Sequence, residues 1–217
     1  MRDFKKMAEQ LHCPNGEEGV EAAANMYRAN SNMIHETVLD LQLKPGQAIL
    51  EIGFGNGQHL PYLFAQAGNL HYCGVDISEL MVAEAGTFNH TLVQQGQASF
   101  IQVTGNGFPD LEAVHFNKVF TVNTLYFWEE PLQQLDEIHR VLKTGGQLSI
   151  AFIEKSFAEH LPFTQYGFTL YTTEQVQALL EKAGFTDIRF NSYQETITSN
   201  TGQEMERPFI ISSSFKY

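Results

Sequence analysis

The sequence predicts an α/β domain: a seven-stranded, mostly parallel sheet with helices on both faces, closed by a C-terminal antiparallel hairpin. Three observations carry this. From Pro45-Gly46 onward, short apolar strand-like runs alternate with helix-like segments, the pattern of parallel strands joined by helical crossovers. The last two strand-like runs are joined by only about ten polar residues, including Ser199-Asn200-Thr201-Gly202, which is turn chemistry and too short for a crossover. Finally, 217 residues with 43% apolar and 18% charged content supply one globular core, and two cores would each be short of apolar material.

In chain order, residues 2–11 and 19–41 read as helices, the second carrying Val20, Ala23, Tyr27, Ile34, Val38 and Leu41 near a helical spacing. Cys13-Pro14-Asn15-Gly16 between them is a turn. A strand follows at 48–53, a helix at 57–67, a strand at 70–76, a helix at 78–90 with Ser78 as its N-cap, and a strand at 98–104. After a loop, 118–123 is apolar enough to be buried on both faces. Residues 131–142 are helical, Thr144-Gly145-Gly146 breaks that helix, and 147–153 is the fifth strand. A helix at 173–183 stops at Gly184, and strands at 186–196 and 207–215 form the hairpin. The chain reads as one domain, 1–217, in which residues 1–43 form an N-terminal helical lid and 44–217 the α/β core.

Charge excludes several partners. Thirteen basic against 25 acidic residues give a net charge of −12, which repels phosphate backbones and anionic membranes, so nucleic acid is not expected as a substrate. Arg2, Lys5 and Lys6 are followed by polar residues rather than the apolar stretch of a signal peptide. No apolar run approaches the roughly 18 residues of a membrane span, and the expected location is the cytoplasm. Cys13 and Cys73 are the only cysteines and belong to no metal-ligand cluster; Cys73, inside an apolar run, reads as a core thiol, and no metal is expected.

The strongest local signal is Ile49-Leu50-Glu51-Ile52-Gly53-Phe54-Gly55-Asn56-Gly57, a buried strand ending in a glycine-rich turn that opens a helix. Glycines there let the backbone approach a ligand that a Cβ would exclude, although a plain tight turn would read the same way. The spacing is G-x-G-x-G rather than the dinucleotide G-x-G-x-x-G, which favours a ligand without phosphates. Glu51 agrees, since its charge would repel a pyrophosphate but could hold a cationic amino-acid moiety. Asp76 ends the second strand nineteen residues after Gly57, next to the first βα loop, where a carboxylate can accept both hydroxyls of a ribose. Its alternative is a helix cap, a task Ser78 could also perform.

Residues 49–60, Gly74-Val75-Asp76-Ile77-Ser78 and Arg140-Val141-Leu142-Lys143-Thr144-Gly145-Gly146, in this order, resemble the class I S-adenosylmethionine-dependent methyltransferases, a Rossmann-like family. The resemblance spans about residues 44–215 and is greatest to the small-molecule group that includes ubiquinone/menaquinone C-methyltransferases. It implies S-adenosyl-L-methionine as donor and S-adenosyl-L-homocysteine as product. Glu51, Gly53, Gly55 and Gly57 would line the methionine and sugar side, Asp76 would hold the ribose, and Ile77 would pack on adenine. The segment from Val122 through Asn123, Thr124, Leu125, Tyr126 and Phe127 to Trp128 would face the donor methyl, with Asn123 nearest the methionine amine. The family usually carries an acid after the third strand, whereas this chain has Thr104-Gly105-Asn106-Gly107-Phe108; Asn106 keeps an acceptor for the adenine amino group but not the charge.

Methyl transfer from a sulfonium is an in-line displacement, so such a protein mainly aligns the reactants. No catalytic base is singled out. The acceptor is expected to be a small molecule, met by the N-terminal helices, with Tyr27 and Asn30 foremost, by Tyr126 and Trp128, and by His160 and Tyr166 of the insertion at 154–171. Two rivals stand beside this reading. A nicotinamide-dependent oxidoreductase requires the longer glycine spacing and a parallel last strand, and a non-catalytic S-adenosylmethionine-binding sensor or partner protein would present the same donor site.

Overall fold

The computed structural model describes residues 3–105, 107–108, 111–198 and 204–217. Arg2, Asn106 and the Ser199-Asn200-Thr201-Gly202 turn lie outside the described residues. Helices α1 (Phe4–His12) and α2 (Gly16–Asp40) lead into β1 (Ala48–Ile52), α3 (Leu60–Phe64), β2 (His71–Asp76), α4 (Glu79–Phe88), α5 (His90–Gln94) and β3 (Ala98–Gln102). Then come β4 (Phe116–Val122), a short 3-10 turn (Leu125–Phe127), α6 (Pro131–Val141), β5 (Leu142–Phe152), α7 (Lys155–Ala158), α8 (Thr173–Lys182), β6 (Thr186–Thr198) and β7 (Glu204–Phe215).

The sheet has seven strands in the order β3-β2-β1-β4-β5-β7-β6. β1 to β5 are parallel, and β7 enters antiparallel to both β5 and β6, as the short final connection requires. A central strand covered by helices on both faces is buried along its whole length, and all five residues of β1 are buried, Glu51 among them. One apolar layer joins α6 and α8 to the sheet through Leu135, Ile138, Val176 and Leu180; the other joins α2, α3 and α4 through Ile34, Val38, Leu60 and Met81. Cys73 is buried in the first layer. Among the described residues no helix is long and apolar enough to cross a membrane.

Beyond shifts of a few residues at element ends, the elements differ from the sequence reading in three places. The helix at 57–67 shrinks to Leu60–Phe64, because Gly53, Gly55 and Gly57 all keep positive φ and hold the preceding loop out of helical geometry. The helix at 78–90 breaks at Asn89 (φ −104°, ψ 27°), whose amide donates to the carbonyls of Gly57 and Ala85, both at 3.0 Å. Thr144-Gly145-Gly146 lies inside β5 as an irregularity, between the Phe116–Leu142 and Lys118–Gln147 pairs, with Gly145 at φ 76°. Ser78 does cap α4, accepting from Met81 N at 3.2 Å.

The last hairpin is longer than the sheet that it joins. β7 pairs with β5 only from Ile210, and the stretch before it reaches back over α2, where Tyr193 and Phe209 stack at 5.0 Å. There Arg207 Nη2 lies 2.6 Å from Glu195 Oε1 and donates to Ala29 O at 2.6 Å, while Asn32 Nδ2 donates to Glu195 Oε2 at 3.0 Å. The bonds to Ala29 and from Asn32 both fall within one turn of Asn30. Asp40, at the other end of α2, accepts from Gln147, Ser149 and Ser213 and ties that end to β5 and β7.

Candidate functional site

A cavity of about 550 Å³ opens over the C-terminal ends of β1, β2 and β4, with α1 and α2 across it. β1 is the strand from which the order turns one way to β2 and the other way to β4, and crevices form at such switch points. The floor is the glycine-rich loop. At Gly53 (φ 71°) an added Cβ would stand 2.3 Å from Thr124 Cγ2, so only glycine allows the β1 and β4 ends to approach. Gly55 (φ 59°) lines the cavity with nothing within 4 Å of its Cβ position. Gly57 is turned away: its Cβ would meet Ala85 Cβ at 2.9 Å, so it serves the packing of the loop on α4.

Glu51 is buried and lines the cavity floor. Its Oε2 accepts from Tyr72 OH at 2.5 Å and lies 2.7 Å from His59 Nε2. Among the described residues no protein donor reaches Oε1. Burial, and next the Glu51 charge, hold the Tyr72 phenol well above its ordinary range, so it remains a donor. Removing that donor in Tyr72→Phe leaves a buried carboxylate with one partner fewer, and thermal unfolding should report a loss of about 1.5–3 kcal/mol.

Asp76, at the end of β2, is 8% exposed. Its Oδ1 accepts from Ser78 N at 2.9 Å and its Oδ2 from Gly55 N at 3.3 Å. Burial pushes its carboxyl up to about 6, against the opposing pull of these backbone N–H groups. Ser78 Oγ donates to Pro14 O at 2.5 Å, which lays the turn between α1 and α2 on the rim beside Asp76. Ile77 faces the cavity and is 36% exposed, an apolar surface without a full cover.

On the β4 side, Asn123 adopts φ 59°, a conformation that asparagine tolerates better than most residues. Its Nδ2 donates to Asn30 Oδ1 at 3.2 Å and Met33 Sδ at 3.4 Å, and its Oδ1 accepts from Tyr126 OH at 3.0 Å. Asn30, Tyr27, Asn123, Thr124, Trp128 and Phe108 all line the cavity. His12 of α1 stacks on Phe127 with ring centroids 4.8 Å apart, and both line the cavity.

The structure therefore brings Glu51, Gly53, Gly55, Asp76, Ile77, Phe108, Asn123, Thr124, Tyr27, Asn30 and Trp128 to one cavity. It does not bring Gly57, Gly107, Tyr126, His160 or Tyr166 to its wall. Tyr126 is buried behind the wall, with its hydroxyl between Asn123 and the Ile153 backbone. His160 and Tyr166 are exposed. Their insertion buttresses the wall from outside, where Phe168 packs 4.6 Å from Phe127 and Thr169 N donates to Tyr126 O at 3.0 Å. His12, Asn56, His59 and Glu129 are wall residues that the sequence reading did not place there. His59 had a signal, eight residues after Glu51 and just beyond the glycine loop; His12 had none, because only the docking of α1 brings it over.

The same region matches known proteins. A family described as a methyltransferase domain matches residues 50–150. Over 163 residues the chain is 29% identical to the uncharacterized methyltransferase YdaC of Bacillus subtilis, covering 75% of this chain and 84% of that protein. It is 30% identical over 159 residues to the tRNA U34 carboxymethyltransferase of Vibrio cholerae, but 70% of this chain matches only 48% of that protein, so the chain spans about half of its length. The fold superposes with TM-scores of 0.70 and 0.69 on phosphoethanolamine N-methyltransferase 2 of Haemonchus contortus, solved with S-adenosylhomocysteine and with S-adenosyl-L-methionine; identity is 18% and 19%, over all of this chain and 61% and 60% of that one. Residues 50–150 are a methyltransferase domain, and the seven-stranded sheet, glycine-rich β1 turn and acid-terminated β2 have the fold of the class I S-adenosylmethionine-dependent methyltransferases.

Proposed function

We propose that this enzyme transfers the methyl group of S-adenosyl-L-methionine to a small-molecule acceptor held between α2 and the 3-10 turn after β4. The single observation that carries this reading is the cavity in which Asp76, the Gly53–Gly55 backbone and Glu51 converge under a lining that, among the described residues, holds no lysine or arginine. A dinucleotide brings two phosphates and needs a compensating helix N-terminus or cation, whereas a sulfonium nucleoside with an amino-acid tail brings positive charge. These residues fit the second ligand. Asp76 holds the ribose hydroxyls, Ile77 and Phe108 face the adenine, and Gly53 and Gly55 let the backbone lie against the sugar and methionine. Glu51, immobilised through Oε2, offers Oε1 to the ammonium group, and Asn123 and Thr124 mark the methyl end.

When bound, the sulfonium supplies a methyl carbon already activated for displacement. The chain's own contribution is alignment and exclusion of water. Asn123, fixed from three sides by Asn30, Met33 and Tyr126, holds the methyl end against α2. α1, latched through Ser78–Pro14 and His12–Phe127, covers it from solvent. The N-terminal segment serves in this way as a lid, although α2 itself is built into the core through Met33, Ile34 and Val38.

Small-molecule acceptors are favoured over tRNA by charge: a net −12 with no cationic lining offers nothing to a phosphate backbone. The quinone C-methyltransferases are one such small-molecule group, and the relatives named above do not single them out. Titration calorimetry on the purified protein tests the donor assignment: S-adenosyl-L-methionine and S-adenosyl-L-homocysteine are expected to bind with micromolar affinity, and NAD not at all. Binding of NAD alone would reverse the reading.

A further inference from the structure

Donor and acceptor ends of the cavity are separated by topology. The glycine loop and Asp76 occupy the β1 and β2 ends, and the remaining wall, over β4, is built by Tyr27, Asn30, Phe127, Trp128, Glu129 and His12. This wall is three aromatic rings, one of them under a stacked imidazole, with an exposed carboxylate at the rim. Among the described residues every fully charged side chain lining the cavity is an acid: Glu51, Asp76 and Glu129. Aromatic faces and carboxylates stabilise cations and repel anions, the more strongly as water is excluded. An acceptor carrying a phosphate or carboxylate would have to be buried here against like charge with no counter-ion.

The reaction itself adds a constraint. A phenol or a carboxylic acid becomes a strong nucleophile as an anion, and among the described residues this wall has no lysine or arginine to hold one. An amine is drawn in as its ammonium, gives one proton to water at the cavity rim, and then attacks as the neutral free base. Its nitrogen lone pair forms the N–C bond as the C–S bond breaks, the released electron pair stays on sulfur, and the positive charge passes from sulfur to nitrogen, which then sheds a proton to water. The surroundings that favour a sulfonium therefore favour the product ammonium equally.

We propose that the acceptor is a small amine with an apolar or aromatic body, recognised by Tyr27, Phe127 and Trp128 and drawn in by Glu129. The proposal rests on the methyl-transfer reading above and deepens it. The test begins with calorimetry of S-adenosyl-L-homocysteine on the full-length protein; if this product does not bind, both readings fall. The complex is then titrated with three probes of one shape, 2-phenylethylamine, 2-phenylethanol and phenylacetate. The amine is expected to bind about tenfold more tightly than the alcohol, and phenylacetate not detectably. Glu129→Gln is expected to weaken the amine several-fold and leave the alcohol unchanged. In parallel, label from methyl-labelled donor should appear on nitrogen across a panel of primary and secondary amines. Phenylacetate binding as well as the amine, equal binding of amine and alcohol, label on phenols, carboxylates or phosphate esters, or no label on any amine each overturn the amine assignment, while intact binding of S-adenosyl-L-homocysteine leaves the donor site standing.

Discussion

Asp76→Ala is expected to weaken S-adenosyl-L-methionine binding by about 1–3 kcal/mol, roughly 5- to 150-fold, because two ribose hydroxyls lose a buried charged acceptor. Calorimetry reads this directly, and unchanged affinity would remove Asp76 from the site. The same carboxylate imposes a pH dependence. Its carboxyl is pushed up to about 6 by burial, and the ribose hydroxyls need the ionised form as acceptor. Donor affinity should therefore be flat above about pH 7 and fall about tenfold per pH unit below about 6, and the Asp76→Asn variant should lose that slope. Stability moves in the opposite sense. A folded-state value of about 6 against 3.8 means that the folded, donor-free protein holds a proton that the unfolded chain has released, so Asp76 costs stability as pH rises between these values. Between about pH 4 and 7 the stability difference should shift in favour of Asp76→Asn by about 2–3 kcal/mol, measured by urea unfolding without donor. A substitution that weakens binding while relatively stabilising the apoprotein cannot be acting through misfolding.

The second large effect is structural. Glu195→Ala should destabilise the protein by about 3–5 kcal/mol, since it strands Arg207, 8% exposed, without its counter-charge. For a domain of this size that lowers Tm by about 6–20 °C. Replacing both partners, Glu195→Leu with Arg207→Met, should recover most of the loss, because no buried charge is then left unpaired. The pair also holds α2 through Ala29 and Asn32, on either side of Asn30, so the single variant should raise KM for the acceptor more than Kd for the donor.

Local and short-range information was legible in the residues themselves. The glycine spacing after Ile52, the acid ending the second strand and the Ser78 cap depend on neighbours a few positions away, and the structure sets Glu51, Gly53, Gly55 and Asp76 around one cavity. Strand order was partly legible too: a connection too short for a crossover dictates an antiparallel final hairpin whatever surrounds it. Asn89 was not legible as a break, because its amide is spent on the carbonyl of Gly57, thirty-two residues away, and only packing creates that bond.

The acceptor wall shows the same division more sharply. Tyr126 looks from the sequence like a neighbour of Trp128 on the pocket, yet the 3-10 turn rotates it inward to bond Asn123 and the Ile153 backbone. His160 and Tyr166 belong to an aromatic-rich insertion, and the insertion packs behind the wall instead of forming it. Sequence alone determined that the ends of β1 and β2 carry a glycine-rich turn and an acid that meet at one cavity, because backbone conformation and strand polarity are written in short motifs. The choice of side chains that line the rest of the cavity was left to tertiary structure, since it depends on where α1 and the hairpin arm come to rest, and those contacts join residues separated by more than a hundred positions.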